Sequence, residues 1–187
     1  MEAALIALGV VFVAELGDKS QLIALTFAAR GRRPLAVLGG IAIAVAVLQT
    51  MAVGIGAALS EALPERTIEL AGGCAFVVFA LWSLRGGDDD DVEVDVPRSA
   101  ARIALAAGSA FFLAELGDKT QLATLTLAST NGALGTWVGA TVGEISADAV
   151  AVAVGWKVGT RLPERALQLL SAGAFALFGL LLLLGVG

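Results

Sequence analysis

Two nearly identical nine-residue stretches stand 100 residues apart in this chain. Residues Ala14–Leu22 read AELGDKSQL, and residues Ala114–Leu122 read AELGDKTQL. Further along, LPER at Leu63–Arg66 recurs at Leu162–Arg165, with an offset of 99. Similarity that extends over nearly the whole of each half predicts two copies of one structural unit.

Each half contains three apolar runs, and the chain, with 58% hydrophobic and 16% charged residues, has the composition of an integral membrane protein. The predicted transmembrane helices lie at 3–29, 35–59, 67–84, 101–129, 133–156 and 166–185. Because three is odd, the second unit enters the membrane from the side opposite to the first. We therefore predict an all-α fold of six transmembrane helices in two inverted three-helix repeats, at 1–84 and 101–187, joined by an acidic cytoplasmic linker at 85–100.

The basic residues outside the spans predict how the helices are oriented. One side of the membrane receives Arg30, Arg32, Arg33, Arg85, Arg98, Arg102, Lys157, Arg161 and Arg165, and the other receives Arg66. Since Lys and Arg concentrate in cytoplasmic loops, we expect both termini to lie outside the cytoplasm.

Eight charged side chains fall inside the predicted spans, where each costs about 2.5–3.5 kcal/mol if it faces lipid. They are Glu15, Asp18, Lys19, Glu115, Asp118, Lys119, Glu144 and Asp148. Within each motif the Glu, Asp and Lys stand at i, i+3 and i+4, which predicts that they share one helical face. Six carboxylates against two lysines leave a charge of −4. This excess must be compensated by divalent cations or protons, a requirement typical of an exchanger.

Glu144 and Asp148 also stand at i and i+4, on the fifth predicted helix. At an offset of 100, their counterparts in the first half are Ala44 and Leu48. We therefore expect the two halves to contribute unequally to any site between them.

Neutral oxygen ligands accompany the motif acids on Ser20, Gln21, Thr120 and Gln121. Gly17 and Gly117 permit a local break that turns backbone carbonyls toward a cavity. The chain has no His, and its single cysteine, Cys74, has no intrachain partner for a disulfide. A ligand set of carboxylate, carbonyl and hydroxyl oxygens suits Ca²⁺, Mn²⁺ or Mg²⁺ and suits Zn²⁺ or Cu⁺ poorly.

The sequences ELGDKS at 15–20 and ELGDKT at 115–120 resemble the duplicated Glu-x-Gly-Asp-(Lys/Arg)-(Ser/Thr) signature of a transporter family. These are the Gdt-type Ca²⁺/Mn²⁺-to-proton exchangers of Golgi, chloroplast and bacterial inner membranes. The resemblance covers essentially the whole chain and implies a transporter without a prosthetic group. It implies that Glu15, Asp18, Glu115 and Asp118 form the cation path. Bacterial members look like manganese exporters, which implies a location in the inner membrane.

On this hypothesis, a divalent cation is held by the four motif acids and leaves the cell as protons neutralise the carboxylates. Glu144 and Asp148 serve as a proton path or as extra ligands, and Lys19 and Lys119 are charge partners of the acids. The substrates are Mn²⁺ or Ca²⁺ and protons, and the surroundings are the lipid bilayer. A net charge of −5 argues against a nucleic-acid partner. The sequence does not specify an oligomeric state.

Three other functions fit parts of the pattern. A passive cation channel conducts without proton coupling. An intramembrane aspartyl protease shares the Gly-Asp element, but the chain has no Tyr for the partner Tyr-Asp element of that group. A small-solute exporter with a similar 3+3 plan is disfavoured by six buried carboxylates. For the acids themselves, the alternative to transport is an ion-pair network that only joins helices, which two lysines cannot balance.

Overall fold

A computed structural model describes residues 1–16, 18–83, 97, 99–158 and 164–185 of the chain. The described residues contain no β-strand and form eight α-helices: α1 (Glu2–Glu15), α2 (Lys19–Gly31), α3 (Pro34–Ala62), α4 (Glu65–Ser83), α5 (Ala100–Glu115), α6 (Lys119–Asn131), α7 (Ala133–Val158) and α8 (Glu164–Leu184). The predicted acidic linker at 85–100 lies outside this description except for residues 97, 99 and 100.

Local sequence signals account for several helix ends. Pro34 occupies the first turn of α3, where its missing N–H leaves no bond unmade. The same helix stops at Leu63, which is extended because it precedes Pro64. The hydroxyl of Ser99 accepts a hydrogen bond from the N–H of Arg102 at 3.3 Å and caps the start of α5.

By length and apolarity, α3 and α7 each suffice to cross a membrane, and α5 with α6 meets the same test as one bent unit. The chain thus has at least two candidate membrane spans among its described residues. The predicted helices at 35–59, 67–84, 133–156 and 166–185 correspond to α3, α4, α7 and α8. Each of the predicted spans at 3–29 and 101–129 contains two helices, which meet at its motif: α1 and α2 in the first span and α5 and α6 in the second.

Glycines bring helices from opposite halves into close contact. Gly40 of α3 lies against the backbone of Ala104 in α5, and Gly139 of α7 lies against the backbone of Ala4 in α1. A Cβ atom at either glycine would overlap the opposing backbone, so only glycine permits this approach. The two contacts are equivalent, since the glycines are 99 residues apart and the alanines 100. Each half therefore packs against the other in the same way.

Equivalent glycine contacts between the two halves recur at the other end of the long helices. Gly56 of α3 lies against the carbonyl of Leu125 in α6, and Gly155 of α7 lies against that of Leu25 in α2. From the first pair of contacts to the second, residue numbers increase in both helices that touch. Therefore α3 runs parallel to α5–α6, and α7 runs parallel to α1–α2. The break in each motif consequently lies against the middle of a long helix from the opposite half.

The last helix of each half packs against the last helix of the other. Phe76 of α4 and Phe175 of α8 stack with their ring centroids 5.6 Å apart. They form a buried cluster with Ala14 of α1 and Ala123 of α6. This contact anchors α4 and α8 to helices that flank the motif breaks.

Candidate cation-binding site

The helical chain is interrupted at both motif copies. Glu15 is the last residue of α1 and Asp18 occupies the N-cap position of α2, while Glu115 and Asp118 stand in the same places between α5 and α6. In each copy the N–H of the Asp donates to the carbonyl of the Glu at 3.1 Å. The chain bends by 71° between α5 and α6.

The prediction that the Glu, Asp and Lys of each motif share one helical face is therefore wrong. Glu15 belongs to α1 and Lys19 to α2, so their mutual position is set by the turn between the helices. The break places Glu15 and Glu115 at helix C-termini, where backbone carbonyls concentrate negative potential. It places Asp18 and Asp118 at helix N-termini, which favour a carboxylate. Carbonyl-rich ends of broken helices are the kind of element that coordinates cations in transporters.

Gly117 makes the second break possible. Its φ angle is +83°, in the region that side-chain-bearing residues rarely adopt, and its N–H donates to Oε1 of Gln121 at 3.0 Å. The equivalent Gly17, also predicted to permit a break, lies outside the described residues.

Replacing Gly117 with Ala should destabilise the protein by about 1–2 kcal/mol, because an alanine pays the strain of a positive φ. Ala at Gly132, where φ is +99° at the end of α6, is the matched control for backbone strain away from the motif. We expect both variants to lose thermal stability in detergent and only Gly117→Ala to lose Mn²⁺ binding in addition. Equal Mn²⁺ binding by the two folded variants would contradict a role for this break in shaping the site.

Three motif acids converge where the two halves meet. One carboxylate oxygen from each of Glu15, Asp18 and Glu115 lies within 4.8 Å of the other two. Glu15 and Glu115 are buried and Asp18 is partly buried. Three carboxylates this close repel one another when ionised, so the cluster favours a multivalent cation or protons.

Hydroxyl groups of the two motifs donate hydrogen bonds to the clustered carboxylates. Ser20 Oγ donates to Oε1 of Glu15 at 2.6 Å and lies 3.4 Å from Oδ2 of Asp18. Thr120 Oγ1 donates to Oε2 of Glu115 at 3.2 Å. The predicted supporting oxygens of Ser20 and Thr120 are thus in direct contact with the acids.

The two motif glutamines lie one residue further along. Gln21 is buried. Oε1 of Gln121 accepts the N–H of Gly117 and therefore supports the backbone of the break in this structure.

Asp118 is the fourth motif acid. It does not belong to the group of three, and its Oδ2 atom is buried without a hydrogen-bond partner among the described residues. The ammonium of Lys119 instead bonds to Oδ1 of Asp18 at 2.5 Å, across the two halves. The side chain of Lys19 lies outside the description.

A second group of buried polar residues lies on the long helices, level with the breaks. Glu144 accepts a hydrogen bond from Nε2 of Gln49. Gln49 belongs to no motif and was not predicted as a site residue. Gln49 and Asp148 are both 0% exposed. Neither oxygen of Asp148 has a hydrogen-bond partner within the part of the chain that is described.

The helix contacts correct the register between α3 and α7. An offset of 99 pairs Gly40 with Gly139, and it also pairs Gln49 with Asp148, which replaces the pairing of Asp148 with Leu48. The LPER repeat has the same offset and was the sequence signal for Gln49. Equivalent positions thus carry an amide in one half and an acid in the other.

Comparison with known proteins agrees with the duplicated architecture. The family model "Divalent cation/proton antiporter GDT1" matches residues 3–91 and again residues 103–186. A Vibrio cholerae protein named "Putative manganese exporter" is 30% identical over 182 residues, covering 96% of this chain and 90% of that protein. A GDT1-like protein of Synechocystis is 31% identical over 185 residues, covering 89% of each. The chloroplast protein PAM71 of Arabidopsis thaliana is 29% identical over 196 residues, covering 90% of this chain and 53% of that protein. No solved structure matches.

Proposed function

This chain belongs to the GDT1 family of divalent cation/proton antiporters, and from that premise we propose that it exchanges Mn²⁺ or Ca²⁺ for protons and exports the cation from the cytoplasm. The family is one of transporters and not of enzymes. The observation that carries the proposal is the convergence of Glu15, Asp18 and Glu115 from both halves within 4.8 Å. The name of the Vibrio cholerae relative favours Mn²⁺ and the bacterial inner membrane.

The proposed topology is six spans in two inverted repeats, at 1–84 and 101–187, with the acidic linker at 85–100 in the cytoplasm. Each broken pair, α1–α2 and α5–α6, forms one span, and α3, α4, α7 and α8 form the others. The equivalent glycine contacts support this plan, because each broken pair runs parallel to the long helix of the opposite half. The Lys and Arg distribution supports cytoplasmic basic loops and external termini.

The proposed cation site consists of Glu15, Asp18 and Glu115, and Asp118 joins it when the ion is bound. Carboxylate oxygens are the ligands that Mn²⁺ and Ca²⁺ prefer. The hydroxyls of Ser20 and Thr120 orient the two glutamates. A divalent ion offsets the mutual repulsion of the carboxylates, which lowers the cost of burying them.

Proton coupling follows from the cost of an empty site. When the cation leaves, the ionised carboxylates remain in surroundings with little water, which is expensive. Protons that arrive at the acids remove this cost and allow the site to return to the opposite side. Exchange results because either a cation or protons must occupy the site each time it turns from one side of the membrane to the other.

We place Glu144 and Asp148 on the proton path, because they belong to α7 and to neither motif, and they lie outside the group of three carboxylates. Asp148 is fully buried and its oxygens have no hydrogen-bond partner among the described residues, so the neutral, protonated form suits its surroundings. Gln49 holds Glu144 from the opposite half.

Replacing Asp148 with Asn should slow proton-coupled Mn²⁺ transport by at least about tenfold and leave Mn²⁺ binding within about threefold of the parent. The matched control is Ser146→Ala, two residues away on α7. Binding is measured by isothermal titration in detergent and transport in proteoliposomes. If Mn²⁺ binding falls in parallel with transport, Asp148 is a cation ligand and not a proton carrier.

Proteoliposomes test the function itself. An imposed Mn²⁺ gradient should drive proton movement, read by an internal pH dye, and an imposed pH gradient should drive Mn²⁺ uphill. Parallel runs with Ca²⁺ and Mg²⁺ rank the substrates. Mn²⁺ flux without proton movement would instead identify a channel, and the absence of any flux from correctly folded protein would contradict the proposal.

A further inference from the structure

Lys119 forms an ion pair across the two halves of the molecule. Its Nζ atom lies 2.5 Å from Oδ1 of Asp18, and the two side chains are only 11% and 18% exposed. Removing both charges from water is costly, and a close, well-directed contact offsets that cost. The pair therefore fixes the start of α6 to the start of α2.

This contact uses the same carboxylate that contributes to the cation cluster. One oxygen of Asp18 binds Lys119, and the other lies 3.4 Å from the hydroxyl of Ser20. A divalent ion that approaches Glu15 and Glu115 therefore meets an Asp18 whose charge is already compensated. Coordination of the ion by Oδ1 of Asp18 requires that the ammonium of Lys119 leave this oxygen.

The ammonium of Lys119 also faces an aromatic ring in this position. The Nζ atom of Lys119 is 5.5 Å from the centroid of the Phe175 ring, within the range of about 6 Å in which a ring attracts a cation. Phe175 is held in place by its stacking on Phe76. An ammonium released by Asp18 can thus keep its contact with the ring without entering lipid.

We propose that Lys119 competes with the transported cation for Asp18. The divalent ion takes the carboxylate, the ammonium keeps only its contact with Phe175, and the ion pair forms again when the ion leaves. This inference rests on the proposed cation exchange at the same site. The competition lowers affinity so that the ion can dissociate, and each binding event breaks a contact between the halves.

The test measures Mn²⁺ binding by purified protein in detergent and Mn²⁺ transport in proteoliposomes. Lys119→Met should bind Mn²⁺ about tenfold more tightly, because the competitor is gone. Its KM should fall together with its kcat, since release of the ion becomes slower. The control Lys157→Met removes one positive charge from the exposed end of α7 and should match the parent protein. Lys119→Gln is the second variant, for which we expect the same direction of change.

A double substitution separates competition at Asp18 from a general effect of charge. In the Asp18→Asn background, Lys119→Met should change Mn²⁺ affinity by less than about twofold. An undiminished gain in that background, or unchanged or weaker binding by folded Lys119→Met and Lys119→Gln, would overturn the inference while the exchange function stands. A parent protein that neither binds Mn²⁺ nor exchanges it for protons would refute the proposed function and, with it, this inference.

Discussion

Replacing Glu15 with Gln should abolish Mn²⁺-driven proton exchange, with a loss of at least about 100-fold in rate. Gln has nearly the same shape as Glu but carries no negative charge and accepts no proton at neutral pH. The substitution therefore removes one of three converging carboxylates and one proton carrier at once. The exchange is measured with a pH dye inside proteoliposomes that face an imposed Mn²⁺ gradient.

The matched control is Glu2→Gln, at the exposed start of the same helix. We expect it to exchange Mn²⁺ at the rate of the parent. Glu115→Gln should behave like Glu15→Gln, because the two glutamates occupy equivalent helix ends and meet in one cluster. A folded Glu15→Gln variant that transports like the parent would refute the assignment of the cluster as the cation site.

The second large effect concerns stability, at two adjacent glycines of α3. A Cβ atom at Gly40 would overlap the backbone of Ala104, whereas a Cβ atom at Gly39 meets nothing within 4 Å. Gly40→Ala should therefore cost about 1–3 kcal/mol through overpacking. Gly39→Ala should stabilise α3 by about 0.5–1 kcal/mol, because alanine loses less backbone entropy in a helix.

Unfolding in detergent, followed by tryptophan fluorescence, compares the two variants. The difference between them is the informative quantity, since both add one methyl group to the same helix. Gly139→Ala should lose as much stability as Gly40→Ala, because Gly139 makes the equivalent contact with Ala4. Equal stability of the Gly39 and Gly40 variants would mean that α3 and α5 do not approach each other as closely as described.

The two motif copies, recognised from the sequence as a resemblance to Gdt-type exchangers, are confirmed by the family match over residues 3–91 and 103–186. Of the six carboxylates predicted to be buried, Glu15, Glu115, Glu144 and Asp148 are buried, whereas Asp18 and Asp118 are partly buried. The resemblance rests on the letters of the duplicated motif, and the prediction of burial rests on charged residues within apolar runs, where lipid excludes exposed carboxylates whatever the helices pack against.

The pairing of charges was not predictable in the same way, and the sequence indicated the helix break only as something that Gly17 and Gly117 permit. Helical periodicity placed Glu15, Asp18 and Lys19 on one face, but the helix ends at Glu15. Lys119 follows Asp118 in the chain and yet bonds to Asp18 in the other half. A break of three residues is a local choice of backbone angles, and hydropathy does not record it.

Gln49 shows the same limit. As a single amide in an apolar run it has no motif around it, and only the packing of α3 against α7 brings it to Glu144. The sequence by itself determined that this chain is helical, duplicated and charged in the interior of its apolar runs. The duplication is visible as a repeat of letters, and the cost of exposing a charge to lipid applies to each residue whatever it packs against. Tertiary structure alone decided which acids converge and that Lys119 pairs with Asp18. Such partners depend on distances across the interface between the two halves, which the order of residues along the chain does not specify.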